Sequence, residues 1–270
     1  MSGELRTAWL ANIRLHPIKG LDPVSVPEAR IGPNGGLELD RVWALFSVDG
    51  NWINGKRNPS IHHIRAEYDP LVSMVTLTVS GGAHKNGRLK AARFSFPSDF
   101  ERAAKWFSEY FDQRVIVRHI PEGAPDDGLA SGPTIVSTAS LQKVCETFPG
   151  VDLREARERF RTTLEIDGVP AFWEDQLFGA DENYMVRFKI GEVAFEGSNP
   201  CARCPVPPRN PRTGEELVGF QKKYADMRRT SLPSTSPADR FDHFYRLATN
   251  TRVPSTEQGK LIRVGDALVL

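Results

Sequence analysis

The residues best suited to reactive or metal-binding chemistry are two cysteines three positions apart, Cys201 and Cys204, which flank Arg203. They open a segment with five prolines between positions 200 and 211. Prolines fix the backbone and remove N–H donors, so this segment must be an extended or turning loop, not a helix. A cation next to a thiol favours the thiolate, the form that binds metals. The segment is therefore the first candidate for a reactive or metal-binding site.

Spacing alone leaves four interpretations of this cysteine pair. A structural zinc site would need a second pair of ligands, and the sequence contains no second CxxC and no HxxxH. A thioredoxin-like motif needs a helix that continues past the first cysteine, which Pro205, Pro207 and Pro208 oppose. A single thiolate bound to a soft transition metal is compatible with the pattern. Two inert, buried cysteines are equally compatible.

Composition excludes several classes of function. The 270-residue chain has three cysteines, too few and too odd a number for a disulfide framework, which favours a reducing compartment. Its 35 Lys+Arg against 34 Asp+Glu argue against a nucleic-acid-binding surface but allow a local basic pocket. No apolar run is long enough for a signal peptide or a transmembrane helix. We therefore expect a cytoplasmic protein with no nucleic-acid or membrane partner.

Several cations stand where the chain turns, and each could bind an anion. Lys19 precedes Gly20 at the end of the first predicted strand, and Arg41 precedes an apolar strand. Lys56 lies in a Gly/Asn loop, and Arg161 follows a predicted helix. Taken singly, each is explained as well by a solvated surface position. The six histidines form no ligand-spaced set, and no Gly-rich phosphate loop, GxSxG or HExxH motif occurs.

The surrounding pattern predicts a β-rich protein. Short segments rich in Val, Ile, Trp and Phe, separated by turn residues, predict strands at 9–15, 24–31, 42–48 and 72–79, which suggest a small barrel or a curved sheet. Ser98 and Glu101 form a capping-box pattern before an apolar helical face. A loop at 121–128 is the expected boundary between a first domain, 1–121, and a second, 122–270.

The second domain mixes strands and helices. We predict strands at 134–136, 164–166, 186–190, 193–195, 260–264 and 267–270, with a helix from 137 to 148. Asp152 with Glu155 caps a further helix that ends near Arg159. Cys145 falls on the apolar face of the first of these helices and is interpreted as core. The polar stretch 217–249 is expected to be rich in loops.

Two sets of short motifs run along the chain. The first set is Leu15-His16-Pro17-Ile18-Lys19-Gly20, Leu39-Asp40-Arg41-Val42-Trp43 and Lys56-Arg57-Asn58-Pro59. The second set is Arg159-Phe160-Arg161, Ile190-Gly191-Glu192, Pro200-Cys201-Ala202-Arg203-Cys204, Asn210-Pro211-Arg212-Thr213-Gly214 and Ile262-Arg263-Val264-Gly265-Asp266.

Taken together, these motifs resemble the MOSC superfamily, which includes amidoxime-reducing components and the C-terminal domain of molybdenum cofactor sulfurase. The first set resembles the family's N-terminal β-barrel domain, and the second set resembles the MOSC domain. The resemblance extends over nearly the whole chain in the right order, and the cysteine loop is its most specific part.

The resemblance implies a fold and a cofactor. The fold would be α+β and β-rich, with a MOSC-type β-barrel domain preceded by a smaller N-terminal β-barrel-like domain. The cofactor would be molybdenum cofactor (Mo-molybdopterin), with Cys201 as the thiolate ligand to molybdenum. The residues expected to hold the pterin and its phosphate are Lys19, Arg41, Arg161, Thr163 and Ser131.

Two departures from the family pattern lie in these segments. Amidoxime reducers read Arg-Pro-Asn where this chain reads Arg161-Thr162-Thr163, so one hydroxyl replaces an amide. The usual Thr-Thr-Val-Asp-Pro after the cysteines becomes a stiffer, less acidic run that ends in Asn210-Pro211.

The implied function is an oxidoreductase that reduces N-hydroxylated small molecules by oxygen transfer to reduced molybdenum. Electrons would come from a separate donor protein of the flavin or iron–sulfur type, because the chain has no Cys-rich iron–sulfur segment and no nucleotide-binding glycine motif. The alternative is a MOSC-fold protein that carries cofactor or sulfur, or binds a small anion, without redox turnover.

Overall fold

The fold is known from a computed structural model, which describes residues 8–80, 89–123 and 130–270. Most of the expected boundary loop, residues 124–128, lies outside these residues. The strands are β1 (Ala8–Leu15), β2 (Val24–Val26), β3 (Glu28–Arg30), β4 (Trp43–Ser47), β5 (Trp52–Ile53), β6 (Ile64–Tyr68), β7 (Met74–Val79), β8 (Ala92–Ser95), β9 (Val115–His119), β10 (Ile135–Ser137), β11 (Leu164–Asp167), β12 (Val186–Ile190), β13 (Val193–Ala202), β14 (Arg246–Arg252), β15 (Leu261–Arg263) and β16 (Ala267–Val269). The α-helices are α1 (Phe100–Phe111), α2 (Thr138–Thr147), α3 (Leu153–Phe160) and α4 (Phe220–Thr230).

A closed barrel of seven strands forms the centre of the molecule. Its order is β11-β10-β14-β13-β12-β16-β1, and a second pairing of β1 with β11 closes the ring. Closure leaves these strands without free edges. The interior holds apolar side chains that alternate along the strands, including Leu10, Ile13, Ile135, Leu164 and Phe195. The β-rich fold implied by the resemblance is confirmed.

Strand β1, the first in the described residues, belongs to this barrel. β1 is antiparallel to β11, with Ile13 opposite Leu164, and also to β16, with Ala8 opposite Leu268. In addition, β3 pairs with β15 close to the C-terminus. The division of the sequence at 121/122 remains a prediction, and residues on both sides of it build the central barrel.

The rest of the N-terminal part forms a smaller β-rich unit. Its two three-stranded sheets, β5-β4-β9 and β6-β7-β8, are packed around a second apolar cluster. Helix α1 covers this cluster with Ala103, Trp106, Phe107 and Tyr110. The predicted helix is present, but the capping box is wrong: Asp99 occupies the N-cap position, and the Ser98 hydroxyl donates to the Ser95 carbonyl.

Helices α2, α3 and α4 pack on the outside of the barrel around a third cluster. Phe148 and Phe220 stack at its centre, with ring centroids 4.2 Å apart, and Phe160 and Tyr224 lie beside them. The expectation of loops at 217–249 is wrong for α4 and for the start of β14. The sequence of α4 is mostly polar, so no helix was predicted there. Three buried residues, Phe220, Tyr224 and Arg228, hold it against the cluster.

The strand that leads to the cysteines is longer than predicted. β13 continues to Ala202, so Pro200 and Cys201 lie in a strand, with Pro200 opposite Thr249. The strand tolerates a proline here because its register with β14 shifts between Pro200 and Ala202. The side chain of Arg246 donates to the Pro200 carbonyl over 2.7 Å.

Helix α3 is fixed at its start by the predicted cap. The carboxylate of Asp152 accepts a hydrogen bond of 2.7 Å from the backbone N–H of Glu155. This cap satisfies a donor that the helix itself cannot. α3 ends at Phe160, with Arg161 as its C-cap, so the cap at Asp152 stabilises the helix that carries Arg161.

We therefore expect Asp152→Ala to lower the free energy of unfolding by about 1 kcal/mol, the usual effect of losing an N-cap. Asp152→Asn is the matched control, because its carbonyl oxygen can accept the same bond. Urea denaturation of the three proteins measures the difference. Equal losses in the two variants would contradict the capping role.

Candidate functional site

One cavity of about 490 Å³ brings together most of the residues singled out in the sequence. Its walls come from the N-terminal unit, the barrel and the loop that follows the cysteines. Five of the six predicted site residues line it: Lys19, Arg41, Ser131, Arg161 and Cys201. The sixth, Thr163, is fully buried behind the wall and contacts Arg41.

Lys19 reaches the cavity through a tight turn. Its backbone N–H donates to the Trp43 carbonyl over 2.8 Å, and Gly20 turns the chain with φ 97°, a conformation that glycine adopts without strain. The ammonium nitrogen lies 4.9 Å from the centre of the Trp52 ring. Lys19 is thus held at the wall by its backbone, while its side chain lies along an aromatic surface.

Arg41 joins the two parts of the chain across the cavity. Its guanidinium makes an ion pair with Asp40, and it donates to the Thr163 hydroxyl and to the Arg161 carbonyl, each over 3.4 Å. The backbone of Arg41 is left-handed, with φ 56°. A non-glycine residue in this region is held there by its surroundings, and such positions are common at functional sites.

Asp40 supplies the negative charge of this cluster. Burial alone would raise the pKa of its carboxyl group, but the Arg41 cation, then the adjacent His16 side chain, and last a hydrogen bond of 2.7 Å from the His16 backbone N–H outweigh it. The pKa is lowered to about 2. Asp40 is therefore a carboxylate at neutral pH and orients Arg41.

Arg161 lies at the end of α3 in a second left-handed backbone position, with φ 51°. Its N–H closes the helix by donating to the Arg157 carbonyl over 2.9 Å. The positive charge of Arg161 acts on buried groups around the cavity. After burial itself, it is the strongest influence that lowers the pKa of His16 to about 3 and of His62 to about 4.

Cys201 stands at an irregular point of the barrel. Opposite it, the register of β14 shifts and Ala248 has φ 73°, a bulge of the kind that redirects side chains next to functional sites. The sulfur accepts a hydrogen bond of 3.1 Å from Arg203 Nη1. Arg203 is anchored in turn by a bond to the Phe160 carbonyl at the end of α3.

Arg203 was not predicted as a site residue, although the sequence places it between Cys201 and Cys204. Burial alone would lower the pKa of its guanidinium, but the sulfurs of Cys201 and Cys204 raise it. The arginine therefore stays charged between the two cysteines, both of which line the cavity. Its neighbouring position in the sequence was the signal, and its contact with Cys201 is what the fold adds.

The remaining predicted residues have structural partners. The Ser131 hydroxyl donates to the Asn34 carbonyl over 2.6 Å, which ties the start of the barrel domain to an N-terminal turn. Cys145 lies outside the cavity: its thiol donates to the Leu141 carbonyl, and burial raises its pKa. All three cysteines are free thiols, and the described residues contain no group of three His, Cys, Asp or Glu side chains that could hold a metal such as zinc.

Asn210, one of the departures from the family pattern, does not line the cavity. Its side-chain oxygen accepts bonds from the backbone N–H groups of Arg212 and Thr213, at 2.9 and 3.1 Å. A carboxylate would make the same two bonds, so Asn210 can replace an aspartate in this turn. Thr163, the other departure, keeps an oxygen that accepts from Arg41.

Two further arginines of the cavity, Arg65 and Arg159, were not predicted as site residues, although Arg159 belongs to the Arg159-Phe160-Arg161 motif. Arg65 pairs with Asp22 over 3.1 Å and donates to the Pro211 carbonyl over 3.0 Å, so it fastens the proline loop to the N-terminal unit. Arg159 donates to the Pro207 carbonyl over 2.8 Å. Arg65 and Pro211 are 146 positions apart in the chain, and Arg159 and Pro207 are 48 positions apart. Only the fold could place these partners together.

The buried His16 leads to a prediction on stability. Its imidazole is 1% exposed, and neither ring nitrogen has a hydrogen-bond partner among the described residues. Burial and then Arg161 lower its pKa to about 3, whereas the unfolded chain has a histidine pKa of about 6.5. As the pH falls below 6.5, His16 therefore binds a proton in the unfolded state but not in the folded state, and the free energy of unfolding decreases.

From pH 7 to pH 5 we expect His16 to account for a loss of about 2 kcal/mol in the free energy of unfolding. His16→Gln should remove this part of the pH dependence, and substitution of the half-exposed His243 by glutamine is the control. Urea denaturation at pH 5, 6 and 7 measures the slope. An unchanged slope in His16→Gln would show that His16 is protonated in the folded protein.

None of the helices in the described part of the chain is long and apolar enough to span a bilayer. The known proteins to which this chain is similar include three that are each named molybdenum cofactor sulfurase. The protein of Drosophila grimshawi is 25% identical over an alignment that covers 76% of this chain and 29% of the relative. Those of Danio rerio and Homo sapiens are each 21% identical, covering 84% and 86% of this chain and 30% of the relative. The chain thus spans about three tenths of the length of these relatives.

Among solved structures, the YUAD protein of Bacillus subtilis aligns over 97% of this chain and 94% of its own, with 11% identity and a TM-score of 0.38. Residues 7–114 match the MOSC N-terminal beta barrel domain, and residues 128–269 match the MOSC domain. Both matches fall in the order expected from the motifs. The chain belongs to the MOSC domain family and carries that family's N-terminal β-barrel domain.

Proposed function

We propose that the protein holds molybdenum cofactor in this cavity and acts as an oxidoreductase that reduces N-hydroxylated small molecules. The observation that carries the proposal is the convergence of Lys19, Arg41, Arg161 and Cys201 on one cavity. These residues come from four separate parts of the sequence. If the cations were only solvated at the surface and the thiol were only packed in the core, these residues would not be expected to line the same cavity.

The residues present fit such a group. The cavity volume lies in the range of about 300–1,000 Å³ that is typical of small-molecule sites. Lysine and arginine donors suit a phosphate, and a thiolate suits a soft transition metal. When bound, the cofactor would supply a molybdenum centre for oxygen-atom transfer.

The chain's own residues would bind and orient this group. Lys19, Arg41 and Arg161 would hold the phosphate and the pterin. Thr163 accepts a hydrogen bond from Arg41 and would keep that guanidinium in place, while Asp40 fixes it from the other side. Ser131 would line the pterin. Arg203, bonded to the Cys201 sulfur, would hold that sulfur in position to bind the metal.

The thiolate assignment can be tested with three variants. We expect Cys201→Ser to lose molybdenum and the thiolate–molybdenum absorbance, because serine removes the soft ligand. Cys145→Ser, which lies outside the cavity, should retain both. Metal and pterin analysis of proteins expressed with cofactor biosynthesis intact measures the difference.

Cys204→Ser belongs in the same series because Cys204 lines the same cavity. Loss of molybdenum in Cys204→Ser with retention in Cys201→Ser would transfer the ligand role to Cys204. Wild-type protein that carries no molybdenum under these conditions would contradict the cofactor proposal.

The anion-binding role makes a separate prediction. Lys19→Met removes a charge and keeps the shape of the side chain, so we expect about 1.5–3 kcal/mol weaker binding of the phosphorylated pterin. That corresponds to about ten- to hundred-fold faster loss of pterin on dilution. Lys222→Met, at an exposed position on α4, is the control. Fluorescence of released pterin gives the readout, and equal retention in the two variants would exclude Lys19 from the site.

Turnover would require electrons from a separate protein of the flavin or iron–sulfur type, and the free thiols suit a reducing compartment such as the cytoplasm. A reduced viologen dye can replace this partner in an assay. Reduction of an N-hydroxylated compound by the molybdenum-loaded protein supports the enzyme. The dye alone and the Cys201→Ser protein are the controls.

A carrier of cofactor or sulfur is the second candidate. It is favoured by the relatives, whose name is molybdenum cofactor sulfurase and which this chain matches over only 29–30% of their length. A protein that binds molybdenum and pterin but reduces no N-hydroxylated compound would fit this second function.

A further inference from the structure

Lys56 is a cation of the cavity wall that has no part in the proposed cofactor binding. It lines the cavity together with Asn54 and Gly55, and its side chain is exposed. Arg57, the next residue, is also exposed but does not line the cavity. Two adjacent cations thus face different surroundings, and the first of them can contact a molecule bound in the cavity.

A turn built on an asparagine fixes this difference. The side-chain oxygen of Asn54 accepts hydrogen bonds from the backbone N–H groups of Lys56 and Arg57, at 3.0 and 3.3 Å. Its backbone carbonyl accepts from the N–H of Asn58 over 2.8 Å. Asparagine stabilises turns in this way. The Arg57 guanidinium donates to Asn51 Oδ1 over 3.0 Å, which holds it away from the cavity wall.

The turn that carries Lys56 packs against two other walls of the cavity. A Cβ atom at Gly20 would lie 3.7 Å from Asn54 Cα, so the turn at Gly20 adjoins it on one side. A Cβ atom at Gly55 would lie 3.5 Å from Val206 Cγ2, so the proline loop after the cysteines adjoins it on the other. A molecule that reacts beside the cysteines can therefore extend toward Lys56.

The charges of the cavity favour an acidic group at this position. Burial is the main cause that lowers the pKa of His62, in the same wall, to about 4, and the cations Arg161, Arg209 and Arg65 follow in that order. These cations create a positive potential here, which attracts anions. Three of the carboxylates that line the cavity are already paired with arginines: Asp22 with Arg65, Asp40 with Arg41, and Glu158 with Arg154 and Arg212.

We propose that Lys56 binds an acidic group of the substrate, so that the protein prefers N-hydroxylated small molecules that also carry a carboxylate. This inference rests on the proposed function and deepens it by naming a substrate class. The N–OH group would lie on the Cys201 side of the cavity, and the carboxylate would lie at Lys56. In the overall reaction the N–O bond breaks, two electrons come from the donor protein or a reduced viologen, and two protons are taken up, giving the N–H compound and water. Lys56 pairs with the carboxylate and transfers no proton.

The test compares benzamidoxime with 4-carboxybenzamidoxime, which differ by one carboxylate. Isothermal titration calorimetry on molybdenum-loaded protein without an electron donor measures binding in the absence of turnover. We expect the wild type to bind the carboxylate compound about three- to fivefold more tightly, as for a partly exposed ion pair. Lys56→Met should abolish this preference, and Lys56→Arg should keep it.

Arg57→Met is the matched control, because it removes the same charge from the same turn on the side away from the cavity. It should leave the preference unchanged. With reduced viologen as donor, Lys56→Met should raise KM for the carboxylate compound by the same factor and leave kcat unchanged. High salt should reduce the preference of the wild type, because it screens exposed charges.

Three results would overturn the inference while the proposed function stands. The wild type would bind the two compounds equally tightly, or Arg57→Met would lose the preference as fully as Lys56→Met, or Lys56→Met would lose pterin and molybdenum. The last result would show that Lys56 holds the cofactor. Loaded wild-type protein that binds the carboxylate compound through Lys56 but reduces neither compound would instead contradict the proposed function.

Discussion

The pairing of β1 with β11 and β16 is the constraint on which the rest of the molecule depends. It closes the barrel with a strand from the opposite end of the chain, and a sheet without it would expose two edges. The backbone N–H of Arg14, near the end of β1, donates to the Thr163 carbonyl over 2.8 Å. The turn that follows β1 therefore places Lys19 near the start of β11, where Arg161 and Thr163 stand.

The cavity concentrates positive charge in a partly buried space, and the surroundings compensate for it. Two arginines, Arg41 and Arg161, occupy left-handed backbone positions, each of which costs about 1–3 kcal/mol and persists only where the surrounding structure enforces it. Asp40 neutralises the first, and the end of α3 fixes the second. His16 and His62 stay neutral beside them, so they add no further charge.

The two family domains form one site. The N-terminal unit provides Lys19, Arg41 and His62, and the MOSC domain provides Arg161, Cys201 and Arg203. Arg65 and Arg41 bridge them through hydrogen bonds to Pro211, Thr163 and Arg161. Because each part holds only some of the donors, the proposed chemistry requires both.

The sequence by itself determined the local elements and the chemical types. Short apolar segments bounded by turn residues predicted β1, β4 and β12, and Asp152 with Glu155 predicted the start of α3, because these signals depend on near neighbours in the chain. The spacing of Cys201 and Cys204 identified the segment that could bind a metal or react. The sequence did not predict the length of β13, because the register shift that accommodates Pro200 has no short-range signal. It did not predict α4 either, because that helix packs on a cluster whose other residues are distant in the chain. Only the tertiary structure decided that Lys19, Arg41 and Arg161 meet at one cavity. The physical reason is that barrel closure brings together residues more than a hundred positions apart, and no local pattern encodes such a contact.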